Sequence, residues 1–136
     1  MCIRDRLQKE LDYPMAIGMR YGNPSIEAGF QSLLEQAPDL DEVFMIPLYP
    51  HYAMATTRTV VEEAERVISH HKWSFKLSIQ DPFYEDPDYI KILAESIAPY
   101  VKKDFDHLLF SYHGVPVRHL KKQDPTKSHC YKMHNF

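Results

Sequence analysis

A chain of 136 residues, 44% hydrophobic and 26% charged, is enough for one packed domain and too apolar for a disordered segment. Its net charge of -3 offers no basic field to nucleic acid, and no apolar run reaches the length of a membrane-spanning helix or a signal-peptide core. Two cysteines, Cys2 and Cys130, are too few for a disulfide framework, so the expected compartment is a reducing cytosol.

Residues 1–12 have no periodicity beyond a weak helix end at Leu7 to Leu11, and read as a non-native or poorly ordered leader. Tyr13 to Met19 is short and apolar, a buried strand by pattern. Asn23 then offers a cap and Pro24 a first helical position, with Ile26, Phe30, Leu33, Leu34 and Ala37 as one apolar helix face stopped by Pro38. Glu42 to Leu48 is the next strand, and it ends in the aromatic, Pro-rich corner Pro47-Leu48-Tyr49-Pro50-His51-Tyr52.

A second helix starts near Thr57, where Thr59 and Glu62 have capping-box spacing and Val60, Val61, Ala64, Val67 and Ile68 form a buried face. Phe75 to Ile79 alternates as a strand does. Asp86 and Pro87 open a third helix with an apolar face at Ile90, Leu93, Ala94, Ile97 and Val101, kinked late by Pro99 and closed by Lys102 and Lys103. Leu108 to Tyr112 is a last apolar strand, and Gly114 and Pro116 break it so that His113 stands at its carboxyl edge. The run His119 to Asp124 reads as a solvated loop or helix surface.

Strands alternating with helices predict an α/β fold with a parallel sheet. The carboxyl ends of such strands share one edge, where ligands bind. Arg20 and Tyr21, the corner from Pro47 to Thr57, Asp81 to Glu85 and His113 would gather there. Four glycines, none arranged as a phosphate loop, argue against a nucleotide. A neutral imidazole at His113 can accept a proton or ligate a divalent metal, and a structural histidine hydrogen-bonded to backbone is the plainer alternative. Arg20 can grip a carboxylate in a fork or pair with a structural acid, and Tyr21 and Tyr49 can donate hydrogen bonds. Ser111 shares a strand face with His113, but no nucleophile elbow surrounds it, so a hydrolase is disfavoured. His129, Cys130 and His134 are metal-ligand types at a spacing that fits no zinc pattern.

Leu108-Leu109-Phe110-Ser111-Tyr112-His113-Gly114-Val115-Pro116-Val117-Arg118 resembles the signature of ferrochelatases, enzymes that insert ferrous iron into a porphyrin to make haem. Met19-Arg20-Tyr21-Gly22 is similar to the family's Arg-Tyr segment. Pro47 to Tyr52 with Ala55-Thr56-Thr57 is similar to its Pro-Leu-Tyr-Pro segment, and Asp81-Pro82-Phe83-Tyr84 to a looser position; all stand in family order. His51 replaces the common Gln, and Gln123-Asp124-Pro125 replaces the more usual Gly-Asp-Pro.

The resemblance implies parallel-sheet, Rossmann-like chelatase lobes with flanking helices around a porphyrin cleft. Residues 13–86 would be the second half of the first lobe, 87–104 a linking helix, and 105–136 the truncated start of a second, similar lobe. It makes His113 the catalytic and metal-handling residue, places Arg20 and Tyr21 in the substrate pocket, and sets Tyr49 beside the macrocycle. Iron enters as substrate, with protoporphyrin IX or coproporphyrin III as its acceptor. Some members carry an iron–sulfur cluster, to which Cys130 could contribute one ligand in a longer chain; alone it cannot hold one. The implied protein is cytoplasmic or peripheral to a membrane, with no nucleic-acid partner and an unassigned oligomeric state. The chain itself reads as an internal fragment, inactive without the rest of the cleft. A chelatase for another metal or tetrapyrrole, or a non-catalytic tetrapyrrole- or metal-binding module, stands as the alternative.

Overall fold

A computed structural model describes residues 3–111, 113–126 and 128. It divides into two units, residues 1–82 and 83–136.

In the first unit, α1 (Ile3–Glu10) covers the stretch read as leader and buries none of its residues. The expected strand over Tyr13 to Met19 has no ladder; it contributes one isolated bridge, Met19 to Ser25. A strand's backbone groups are satisfied only by a neighbouring strand, and none lies beside this segment among the described residues. Residues 15–18 run instead against α2 (Ile26–Gln36), where Gln36 Nε2 donates to the Met15 carbonyl at 3.3 Å.

Two glycines permit that approach. A Cβ on Gly29 would stand 2.9 Å from the Ile17 carbonyl oxygen, and one on Gly18 would stand 2.8 Å from Ile26 Cα. The N-cap of α2 is Ser25, not Asn23: its side chain accepts from the Ala28 N–H at 3.1 Å, and Pro24 lies before the helix in a cis peptide. Both residues are capping types, and Ser25, directly before the first helical residue, takes the role.

β1 (Glu42–Met45) and β2 (Lys76–Ile79) pair in parallel, with Val43 opposite Leu77 and Phe44 opposite Ser78. β1 stops short of the predicted Leu48, because Ile46 and Pro47 run past the end of β2's pairing. Between the strands a π-helical turn, Met54–Arg58, leads into α3 (Thr59–His71). The core joins Ile26 and Phe30 of α2, Val43 of β1, Ala64 and Val67 of α3, and Phe75. Phe30 packs on Trp73 and Phe75 with ring centroids 5.8 and 5.4 Å apart. His71 stacks on Trp73 and its Nε2 lies 2.6 Å from Glu27 Oε1, which ties α3 to α2.

In the second unit, α4 (Pro87–Val101) starts as predicted, with the Asp86 carboxylate accepting from the Asp88 and Tyr89 N–H groups. Its expected buried face is exposed at Ile90, Leu93, Ile97 and Val101. The expected strand at Leu108 to Tyr112 is corrected as well: residues 108–111 have no ladder, Leu109 is 89% exposed, and Tyr112 lies outside the described residues. An apolar pattern names a strand but cannot supply the neighbour that holds it. α5 (Val117–Gln123) carries the basic run as a helix surface. Asp124 after it is buried and accepts from the Thr126 N–H and hydroxyl at 2.9 and 2.6 Å. The parallel β1–β2 pair with its helices is the α/β element expected; among the described residues no second sheet is present.

Candidate functional site

The predicted rim residues fall in both units. In the first, Met19 N–H donates to the Pro24 carbonyl at 2.8 Å, which closes the loop that carries Arg20 and Tyr21. Arg20 is half-buried. Its Nε donates to the Thr59 carbonyl at 3.2 Å, and its guanidinium carbon lies 4.7 Å from the centre of the Tyr21 ring. Tyr21 itself is 77% exposed. Sequence reasoning pairs Arg20 with a carboxylate, and the structure gives it a helix carbonyl instead.

Nothing in the sequence marks that carbonyl. It stands where the corner after β1 enters α3 through a widened turn, in which the Arg58 N–H reaches back to the Ala53 carbonyl, five residues away, at 3.3 Å. The Thr59 hydroxyl lies 3.2 and 3.0 Å from the Ala55 and Thr56 carbonyls and shares its proton between them. The Thr59–Glu62 capping box is thereby corrected: Thr59 serves the preceding turn, and Glu62 pairs with Arg58 at 2.6 Å. That carboxylate raises the Arg58 guanidinium above its ordinary value, and the Tyr52 phenol adds to the shift.

Around Arg20 the electrostatics are arranged along α3. Arg66 holds Glu63 with two donors at 3.0 and 2.7 Å. Glu63's carboxyl lies below its ordinary value, chiefly through the Arg66 hydrogen bond, with the Arg66 and Arg20 charges helping and burial opposing. Thr57, within the π turn, is buried, and its hydroxyl has no hydrogen-bond partner among the described residues. Tyr49 and His51 are exposed on the corner. The Arg-Tyr loop thus meets the π turn and α3 at Thr59, two of the rim segments that the sequence groups together.

In the second unit, His113 is exposed, and a Cβ on Gly114 would find nothing within 4 Å. Tyr84's phenol is pushed up, first by its hydrogen bond to Glu85 and then by that carboxylate's charge. Gln123 sits in the last turn of α5, so the departure from Gly is accommodated by a helical backbone.

Among the described residues, no group of three or more His, Cys, Asp or Glu side chains could hold a metal ion, and no helix is long and apolar enough to cross a membrane. Cys130, His129 and His134 lie outside the described residues. The chain's two cysteines do not fit an iron–sulfur cluster, which takes about four ligands.

The family model described as Ferrochelatase matches residues 2–135. A ferrochelatase of Stutzerimonas stutzeri is 49% identical over 119 residues, 88% of this chain and 34% of the relative. Those of Pseudomonas fluorescens (strain SBW25) and Azotobacter vinelandii are 48% and 44% identical, over 88% and 86% of this chain and 34% of each relative. The chain therefore spans about a third of the length of the curated relatives it matches. No solved structure matches it.

Proposed function

This chain belongs to the ferrochelatase family, and we propose that the enzyme it represents inserts ferrous iron into a porphyrin in haem synthesis. The observation that carries the reading is the family match running through the Arg20, Tyr49 and His113 segments together, at residues 2–135. The porphyrin and iron are substrates. Protoporphyrin IX and coproporphyrin III are the two macrocycles this reading allows.

Insertion forms four iron–nitrogen bonds and releases two pyrrole protons. A group beside the ring must take those protons or deliver the metal, and an imidazole nitrogen can do either. His113 is assigned that work. Tyr21 and Tyr49 are assigned to the macrocycle's edge, where an exposed phenol can stack on a flat aromatic and donate a hydrogen bond. Arg20 belongs to the same pocket. A cytoplasmic enzyme, peripheral to a membrane where its product is hydrophobic, is the matching location.

The test is iron insertion by the polypeptide at the full length of its relatives, wild type against His113→Ala. The expected loss is about 10² to 10⁴ in kcat, the range for removing a general acid–base group. Equal rates would return His113 to a structural role. An inert wild type that still binds porphyrin would make this a binding module, and turnover of another metal in preference to iron would make it a different chelatase.

A further inference from the structure

We infer that Arg20 is a positioning residue, which holds the Tyr21 ring for the porphyrin by strapping the loop 20–24 to the start of α3. The inference rests on the proposed function for its consequence, but on geometry for its substance.

The base of the loop is fixed from below. Met19 N–H closes it on the Pro24 carbonyl, and the contacts at Gly18 and Gly29 press the preceding segment onto α2. Its first residue has a different anchor. Arg20 Nε reaches 39 residues along the chain to the Thr59 carbonyl, where the π turn passes into α3. The same guanidinium then lies over the neighbouring Tyr21 ring at 4.7 Å. An aromatic that is 77% exposed has little packing to choose its rotamer, so a cation over its face, worth about 0.5–1 kcal/mol at exposed sites, biases where it points.

The Thr59 carbonyl takes up the Nε donor of Arg20 and leaves the Nη donors, while Glu63 supplies compensating negative charge on the helix side. On this inference the strap acts on substrate through Tyr21.

The test uses the polypeptide at the full length of its relatives, with Tyr21 replaced site-specifically by 3-fluorotyrosine. The ¹⁹F resonance is expected to be displaced from that of the free amino acid and to return toward it in Arg20→Gln. Arg20→Lys, which keeps a cation but loses the Nε bond, should recover part of the displacement; it also serves if Arg20→Gln folds poorly, which thermal unfolding reports.

Kinetics supply the second arm. Arg20→Gln and Tyr21→Leu should lower iron insertion by fold-losses that do not multiply in the double variant. A resonance indifferent to Arg20 overturns the inference, and so do losses that multiply, which would make Arg20 an independent substrate ligand. The fluorine arm needs no turnover, so an inert wild type would remove the functional reading while the strap is still read directly.

Discussion

Replacing Gly29 by Ala sets two rules against each other. Glycine inside a helix costs about 1 kcal/mol relative to Ala, so the sequence alone predicts that Gly29→Ala stabilises α2. The structure predicts the reverse. The new Cβ would stand 2.9 Å from the Ile17 carbonyl oxygen and 3.3 Å from Gly18 Cα, where ordinary contact begins at 3.4 Å. Both obstacles are backbone, and the segment cannot turn aside as a side chain would. Overpacking of this kind costs about 1–3 kcal/mol, enough to cancel the helix gain and leave a net loss of up to about 2 kcal/mol. Urea denaturation should show a lower midpoint with an unchanged slope. Gly114→Ala, with nothing within 4 Å, is the control and should stay within about 0.5 kcal/mol of wild type. A Gly29→Ala protein more stable than wild type by the full helix gain of about 1 kcal/mol would refute the close approach of residues 15–18 to α2, and with it the rigid base of the Arg20 loop.

Phe30→Ala removes a 5%-exposed ring packed on Trp73 and Phe75, and should cost about 3–5 kcal/mol in thermal or urea unfolding; a loss under about 1 would mean the aromatic cluster is not the core. Glu42 accepts from the Ser78 hydroxyl and from Lys76 at 2.9 Å, and these partners hold its carboxyl below the ordinary value of 4.5. A depressed native value means stability that is present above the ordinary value and lost as pH falls through the native one. The gap in urea midpoint between wild type and Glu42→Gln should therefore narrow from pH 7 to pH 3, and a constant gap would sink the pairing across β1 and β2. Amide hydrogen exchange at residues 108–111 should be fast in this chain and slow in a polypeptide of its relatives' length. Fast exchange in both would mean that the segment never becomes a strand.

Signals that are complete within one turn of chain were legible in the sequence. Asp86 and Pro87 start α4 where their chemistry says, because a cap's acceptor and its N–H donors are neighbours. The apolar faces of α2 and α3 hold Ile26, Phe30, Ala64 and Val67 in the core for the same reason. What depends on a distant partner was not legible. The widened turn at Met54–Arg58, the diversion of the Thr59 hydroxyl to that turn, and the Arg20 bond to a carbonyl 39 residues away have no local pattern. The strands at Tyr13 to Met19 and Leu108 to Tyr112 carry the right residues, but apolar residues do not specify what they pair with. The family segments were readable, therefore, while the bonds that place Arg20 and Thr59 were not.

The two units place their candidate residues by different means. Arg20 and Tyr21 hang from a frame that closes on itself, with a parallel strand pair, two helices packed over it and a carbonyl supplied by α3. Disturbing that frame should register first as lost stability. His113 follows an apolar run exposed at 52, 89 and 62% for Leu108, Leu109 and Phe110. Burying such side chains is worth about 1.5–3 kcal/mol each, and that free energy becomes available only when further chain covers them. The presentation of His113 is thus coupled to whatever buries residues 108–110, whereas that of Tyr21 is coupled to Gly29 and Thr59. Polar substitutions at Leu109 should leave the stability of the first unit unchanged and lower the iron insertion that the proposed function assigns to His113.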